Sequence, residues 1–241
     1  MTCAFEPTSS ELVAAGGLDN HCTVYRAAPP GNVEVVLTHH DGYLSSCKFA
    51  GPGSMLTASG DSTCALWDIE MGVVKTVFDD HAGDVTALDV DPSNPSVFVS
   101  GSCDCTAKLW DSRTARSVMT FAGREGDVNA AAFMPSGMAF ATGAEEGVSR
   151  LFDLRSFAPV NEFSNDVMVS GIASLSFSKS GRILFTGGDD NVLYAWDALE
   201  DRPSPLQSLE YHQGRVAAIA VPRSGQCVAA ASWDFDVSIW A

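Results

Sequence analysis

The sequence predicts an all-β propeller built from four-stranded blades, and three observations predict it. Short strings ending on an aromatic residue and an acid recur along the chain: Ala65-Leu66-Trp67-Asp68, Lys108-Leu109-Trp110-Asp111, Arg150-Leu151-Phe152-Asp153 and Tyr194-Ala195-Trp196-Asp197. With Tyr25 and Trp240, the aromatic positions are spaced by 42, 43, 42, 44 and 44 residues. A second ladder runs beside the first, because Asp19, Asp61, Asp104, Glu146, Asp190 and Asp234 each stand six residues before an aromatic position. Between the ladders lie short apolar runs separated by Gly, Asp and Ser, which are strand and hairpin signals. A period near 43 residues belongs to four-stranded propeller blades.

Taken in order, Thr2-Cys3-Ala4-Phe5 reads as a first strand, and Tyr25 closes a weaker third strand. The Pro-rich stretch Ala28-Pro29-Pro30-Gly31 falls between a third and a fourth strand, as does Asp201-Arg202-Pro203-Ser204-Pro205; both read as loop insertions. The middle repeat shows the unit most clearly. Phe98-Val99-Ser100 leads into a turn at Ser102-Cys103-Asp104, Ala107-Lys108-Leu109-Trp110 runs back, and Val118-Met119-Thr120-Phe121 forms the outer strand. Val128 to Phe133 then opens the next blade. The chain ends on a third strand at Trp240, which gives six third strands but only five outer strands.

Composition narrows the function. The 241 residues are 46% hydrophobic, enough for a sizeable core. A net charge of −16 argues against nucleic-acid binding through the phosphate backbone. No apolar run approaches the roughly 20 residues of a membrane helix, and no secretory leader or lipidation motif is visible. Seven scattered cysteines fit a reducing compartment rather than a disulfide framework.

The repeats resemble the WD-repeat family over essentially the whole chain. That resemblance implies a hydrogen-bonded tetrad in each blade: a His near its start, a Ser or Thr on the second strand, the turn Asp and the third-strand Trp. Two blades match in full, with His40, Thr57, Asp61 and Trp67, and with His81, Ser100, Asp104 and Trp110. The others are partial. Arg124 replaces the His beside Thr142, Glu146 and Phe152, and Asn165 replaces it beside Thr186, Asp190 and Trp196. The last blade has His212, Asp234 and Trp240, with Ala230 in the hydroxyl position. The blades of Arg124 and Asn165 are therefore expected to be weaker. A hydroxyl, a His and an Asp together also describe a nucleophilic triad. Here the set recurs once per repeat, which marks it as structural, and no catalytic residue is expected. Cys103-Asp104-Cys105 has the wrong spacing for a zinc knuckle, so neither a metal nor a cofactor is expected.

Several strings are more specific. Ser59-Gly60-Asp61-Ser62-Thr63-Cys64-Ala65-Leu66-Trp67-Asp68, Arg150-Leu151-Phe152-Asp153-Leu154-Arg155, Ser176-Phe177-Ser178-Lys179-Ser180-Gly181-Arg182 and Ser232-Trp233-Asp234 are similar to the beta subunits of heterotrimeric G proteins. The resemblance implies a non-catalytic signal transducer. Its partners would be a gamma subunit or gamma-like domain, the GDP-bound alpha subunit, and effectors. It also implies a cytoplasmic location at the inner face of the plasma membrane, reached only through lipidated partners. The alpha-subunit and effector site would use the loops before the first strand and between the second and third strands. Matching positions are Met1, Leu18, Asn20, Tyr43, Asp84, Asp127, Asn129, Glu145, Arg215 and Trp233. Thr86 departs from the family, which usually carries a large apolar contact residue there. The family has seven blades after an N-terminal helix, so residues 1–241 are expected to form a single but N-terminally incomplete domain, six repeats of a seven-bladed ring lacking about 100 residues. The alternative is another WD-repeat adaptor that uses the same loops for a different partner.

Overall fold

The computed structural model describes residues 2–29, 31–122, 125–156, 158–164, 170–200 and 204–241. The described residues form 23 strands and no helix. Blade 1 contains β1 (Thr2–Phe5), β2 (Leu12–Gly16), β3 (His21–Arg26) and β4 (Val33–Thr38). Blade 2 contains β5 (Leu44–Phe49), β6 (Ser54–Ser59), β7 (Cys64–Asp68) and β8 (Val73–Phe78). Blade 3 contains β9 (Val85–Val90), β10 (Val97–Ser102), β11 (Ala107–Asp111) and β12 (Ser117–Phe121). Blade 4 contains β13 (Val128–Phe133), β14 (Ala139–Ala144), β15 (Ser149–Asp153) and β16 (Pro159–Phe163). Blade 5 contains β17 (Ile172–Phe177), β18 (Ile183–Gly188), β19 (Val192–Asp197) and β20 (Gln207–Glu210). The last blade has three strands, β21 (Val216–Ala220), β22 (Val228–Ser232) and β23 (Val237–Trp240). Each sheet is an antiparallel meander in which every strand pairs with its neighbours in sequence. The architecture is therefore the all-β, WD-repeat propeller type.

Burial follows strand position. The second strand is the most enclosed: every residue of β14 is buried, which suits its run of Ala, Phe, Thr and Gly. Outer strands alternate instead, as in β12, where Val118 and Thr120 face solvent and Phe121 is buried. Register places each ladder aromatic opposite a second-strand residue, with Phe98 facing Trp110 and Phe140 facing Phe152. Small residues on the second strand admit the next blade. A Cβ on Gly143 would collide with the Ile172 side chain of β17. Adding a methyl there would force blades 4 and 5 apart.

The chain divides into two compact units. One runs through Thr120 without Asp91–Ser93, and the other holds Asp91–Ser93 with Phe121 onwards. In the first unit, Leu44, Cys47 and Trp67 pack with Ala14, Cys22 and Val24, while Phe78, Phe98 and Trp110 form an aromatic cluster. Phe98 and Trp110 stack at 5.8 Å and 7°. In the second unit, Phe121, Phe140 and Phe152 repeat that arrangement, with Phe140 and Phe152 stacked at 5.2 Å and 18°. Phe152 thus keeps the packing of the Trp it replaces but not the indole N–H.

Candidate functional site

Two layers build the site: a buried tetrad that fixes the hairpin of blades 2, 3 and the last, and the loop tips that the hairpins carry. In blade 2, His40 Nδ1 lies 2.8 Å from Asp61 Oδ2 and His40 Nε2 lies 2.8 Å from Thr57 Oγ1. Trp67 Nε1 donates to the same hydroxyl at 2.8 Å. Blade 3 repeats this with His81, Ser100, Asp104 and Trp110, each contact at 2.7 Å. Both imidazoles have pKa values below the ordinary histidine value, because burial outweighs the pull of the neighbouring Asp. A neutral ring donates from Nδ1 to the carboxylate and accepts the hydroxyl proton at Nε2. The hydroxyl is thereby a relay between ring and indole. Burial works to raise Asp104, but hydrogen bonds from Thr106 and His81 prevail and hold it at about 2. These groups are all engaged with one another, which leaves no nucleophile free.

The last blade solves a missing partner in its own way. Ala230 offers no hydroxyl, and Ser238, its cross-strand neighbour, supplies one. His212 Nε2 meets Ser238 Oγ at 2.8 Å, and Trp240 Nε1 donates to it at 3.0 Å. His212 Nδ1 lies 2.9 Å from Asp234. The relay is complete although its hydroxyl comes from the third strand. In blade 5, Trp196 donates to Thr186 at 2.8 Å. Arg124 and Asn165, which stand in the His position of blades 4 and 5, lie outside the described residues.

Each turn acid shapes its hairpin. Asp61, Asp104 and Asp234 accept the N–H two residues on, from Thr63, Thr106 and Asp236, each at 3.0 Å. The same carboxylates take an N–H from the incoming loop, at Asp41, Ala82 and Gln213. That loop passes so close that a Cβ on Gly42 would lie 2.5 Å from the Asp61 nitrogen. The acids are committed to backbone, which positions their neighbours.

Those neighbours are the candidate residues. In every blade after the first, a recurring bond joins the residue before the first strand to the residue after the second strand. In the first unit, the Tyr43 carbonyl accepts the Gly60 N–H and the Asp84 carbonyl accepts the Cys103 N–H, both at 2.9 Å. The Tyr43 ring lies against Gly60, where any Cβ would collide with it. Its hydroxyl donates to Asp84 at 3.0 Å, so Tyr43 and Asp84 form one group across blades 2 and 3. Asn20 holds a left-handed backbone (φ 64°) and donates to the Asp41 carbonyl at 3.2 Å. Leu18 beside it is exposed.

In the second unit, the Asp127 carbonyl accepts the Glu145 N–H at 2.9 Å, and the Arg215 carbonyl accepts the Trp233 N–H at 3.0 Å. Asn129 occupies a bulge in β13, between the paired residues Val128 and Ala130. A bulge re-aims its side chain relative to the sheet. Thr86 occupies the same kind of bulge in β9, and its hydroxyl donates to the Gly101 carbonyl at 3.1 Å. Arg215 does two further things. Its Nε lies 3.2 Å from Asp189, and its guanidinium carbon sits 5.3 Å from the Trp233 ring centroid. The indole is thus held by a backbone bond and a cation–π contact of about 0.5–1 kcal/mol, yet remains 67% exposed. Met1 lies outside the described residues. Among those described, no group of three or more His, Cys, Asp or Glu is arranged to hold a metal ion.

The model of the G protein beta WD-40 repeat family matches residues 1–241. The chain belongs to that family. It is 47% identical over 241 residues to the guanine nucleotide-binding protein subunit beta of Schizosaccharomyces pombe, covering all of this chain and 77% of that protein. It is 44% identical over 248 residues to the subunit beta-5b of Danio rerio, covering all of this chain and 62% of that protein. To the subunit beta of Oryza sativa subsp. japonica it is 39% identical over 262 residues, covering all of this chain and 69% of that protein. Two residues outside the sequence-derived set join the candidate site on geometry. Asp189 anchors Arg215, and Ser238 completes the tetrad of Asp234, the residue that follows Trp233. The signal for Ser238 was its cross-strand register with Ala230; for Asp189, it was the repeat position shared with Glu145 and Trp233.

Proposed function

We propose that the chain works as a G-protein beta subunit: a non-catalytic scaffold that pairs with a gamma subunit or gamma-like domain, holds the GDP-bound alpha subunit, and engages effectors. The observation that carries the reading is Trp233. It is a large aromatic side chain held in place by Arg215 and still open to solvent at a hairpin tip. Exposed, pre-positioned Trp is the residue type that dominates protein–protein affinity. Acids at hairpin tips of the same unit, Asp127, Glu145 and Asp189, favour a partner segment carrying basic residues. In the first unit, the corresponding tips carry Leu18, Asn20, Tyr43 and Asp84. Residence at the inner face of the plasma membrane would follow from lipidated partners. The test is a titration of the chain, co-expressed with a gamma subunit, against an isolated alpha subunit loaded with GDP or with a non-hydrolysable GTP analogue. Tighter binding of the GDP form is expected, and equal binding or none would contradict the reading.

A further inference from the structure

The connections between third and fourth strands span 27–32 in blade 1, 69–72 in blade 2, 112–116 in blade 3 and 154–158 in blade 4. In blade 5, which has all four strands, the connection spans 198–206. Blade 2 turns the chain with less than half that length, so the turn itself does not require the insertion. The insertion carries Ser204 and Pro205, and Ser204 is exposed. Hydroxyls in the corresponding connections are tied to backbone: Thr114 donates to the Asp111 carbonyl at 3.0 Å and Ser156 to the Asp153 carbonyl at 3.4 Å. Ser204 makes no such bond among the described residues. Just beyond it, the Leu206 N–H donates to the Ala195 carbonyl at 2.8 Å, which fixes the start of β20. The chain holds 11 prolines, and Ser204 is the one serine or threonine that a proline follows.

A proline after a serine matters in two ways. It has no N–H, so an enzyme that buries the backbone there leaves no donor unpaired. It also keeps the serine away from helical angles, in the extended form that a peptide adopts in a catalytic cleft. We propose that Ser204 is a phosphorylation site for a proline-directed serine/threonine protein kinase. The Ser204 Oγ attacks the γ-phosphorus of ATP, the bond to the β–γ bridging oxygen breaks, ADP leaves, and the hydroxyl proton passes to the catalytic base of the kinase. The product carries an added charge of about −1.5 to −2 at neutral pH. In a meander, the turn between the second and third strands and the turn between the third and fourth lie at opposite ends of the blade. The six residues of β19 set those ends of blade 5 about 20 Å apart. That exceeds the Debye length of about 8 Å at physiological salt. The phosphate therefore charges the end of blade 5 that lies away from Asp189 and the Arg215–Trp233 site it anchors.

The test incubates the full chain with a kinase of the mitogen-activated class, ATP and magnesium, and maps the product by mass spectrometry. One phosphate per chain is expected, on Ser204. Ser204→Ala removes an exposed hydroxyl without disturbing packing, and should accept none. Pro205→Ala keeps the hydroxyl but adds a backbone N–H for the kinase to bury, and should be labelled about 10-fold more slowly. No phosphate, a phosphate at another residue, or equal labelling of P205A would overturn the proposal. A second arm, which rests on the alpha-subunit reading, titrates both forms with the GDP-loaded alpha subunit. Affinities within about 2-fold of each other are expected, and a larger change would refute the separation of the two ends. Binding by neither form would contradict the beta-subunit reading, and the mapped phosphate would still decide Ser204.

Discussion

Ser238→Ala removes one oxygen and strands two donors or acceptors. In the last blade that hydroxyl donates to His212 Nε2 and accepts from Trp240 Nε1, at 2.8 and 3.0 Å. His212 is buried, so its ring nitrogen loses a partner that water does not replace, which costs about 1–3 kcal/mol. Trp240 is only partly enclosed, so its N–H recovers some hydration and adds about 1 kcal/mol at most. The total is about 1–4 kcal/mol, borne by the last blade. Native-state hydrogen exchange reads this locally: amides of β22 and β23 should lose protection by that amount while those of blades 2 and 3 hold theirs. The partner variant sharpens the case. Ala230 faces Ser238 across the ladder, so Ala230→Ser in the S238A background returns a hydroxyl at the position used by Ser100 in blade 3. It should restore at least half of the lost protection. Unchanged exchange in S238A, or a double variant weaker than the single, would refute the relay in this blade.

Acid sensitivity follows from the tetrads. Burial holds the folded pKa of His40 and His81 below the usual value, so the unfolded chain takes up protons first as pH falls, and stability declines below about pH 6.5. Asp104, held at about 2, extends the decline below about pH 4, where the unfolded carboxyl protonates first. Urea midpoints should therefore fall steadily from pH 7 to pH 3, and a midpoint that rises between pH 7 and 5 would contradict neutral buried rings. Phe140→Ala empties the stack between Phe121 and Phe152 and should cost about 3–5 kcal/mol, read as loss of exchange protection in β14 and β15. A loss below 1 kcal/mol would show that the all-Phe cluster does not hold blade 4 together.

Strand order was legible in the sequence because it is periodic, and the tetrads of blades 2 and 3 because the repeats resemble the WD-repeat family. An aromatic residue every 43 residues or so, with an acid six residues before it, fixes where each hairpin turns and which face is buried. What the sequence hid was substitution across the ladder. Ser238 sits two residues before Trp240, and only the pairing of β22 with β23 shows that its hydroxyl reaches the place that Ala230 leaves empty. The tip pairs were half legible. Trp233 stood out because no periodic demand explains a Trp there, but its bracing by Arg215 and Asp189 is a contact between blades 5 and 6 that no local pattern encodes. The bulges that carry Asn129 and Thr86 were equally hidden, because the same one-residue bulge recurs in the first strand of blades 2 to 6 and leaves the repeat length even.

The central claim is that the hairpin tips form a partner-binding site separable from the fold beneath them. Trp233→Ala tests it most directly. The indole is mostly solvent-exposed, so its removal should leave the urea midpoint within about 0.5 kcal/mol of the parent chain. Affinity for the GDP-loaded alpha subunit should fall by more than about 1 kcal/mol, at least 5-fold in a titration. Unchanged affinity, or a loss of stability as large as the loss of binding, would contradict the account.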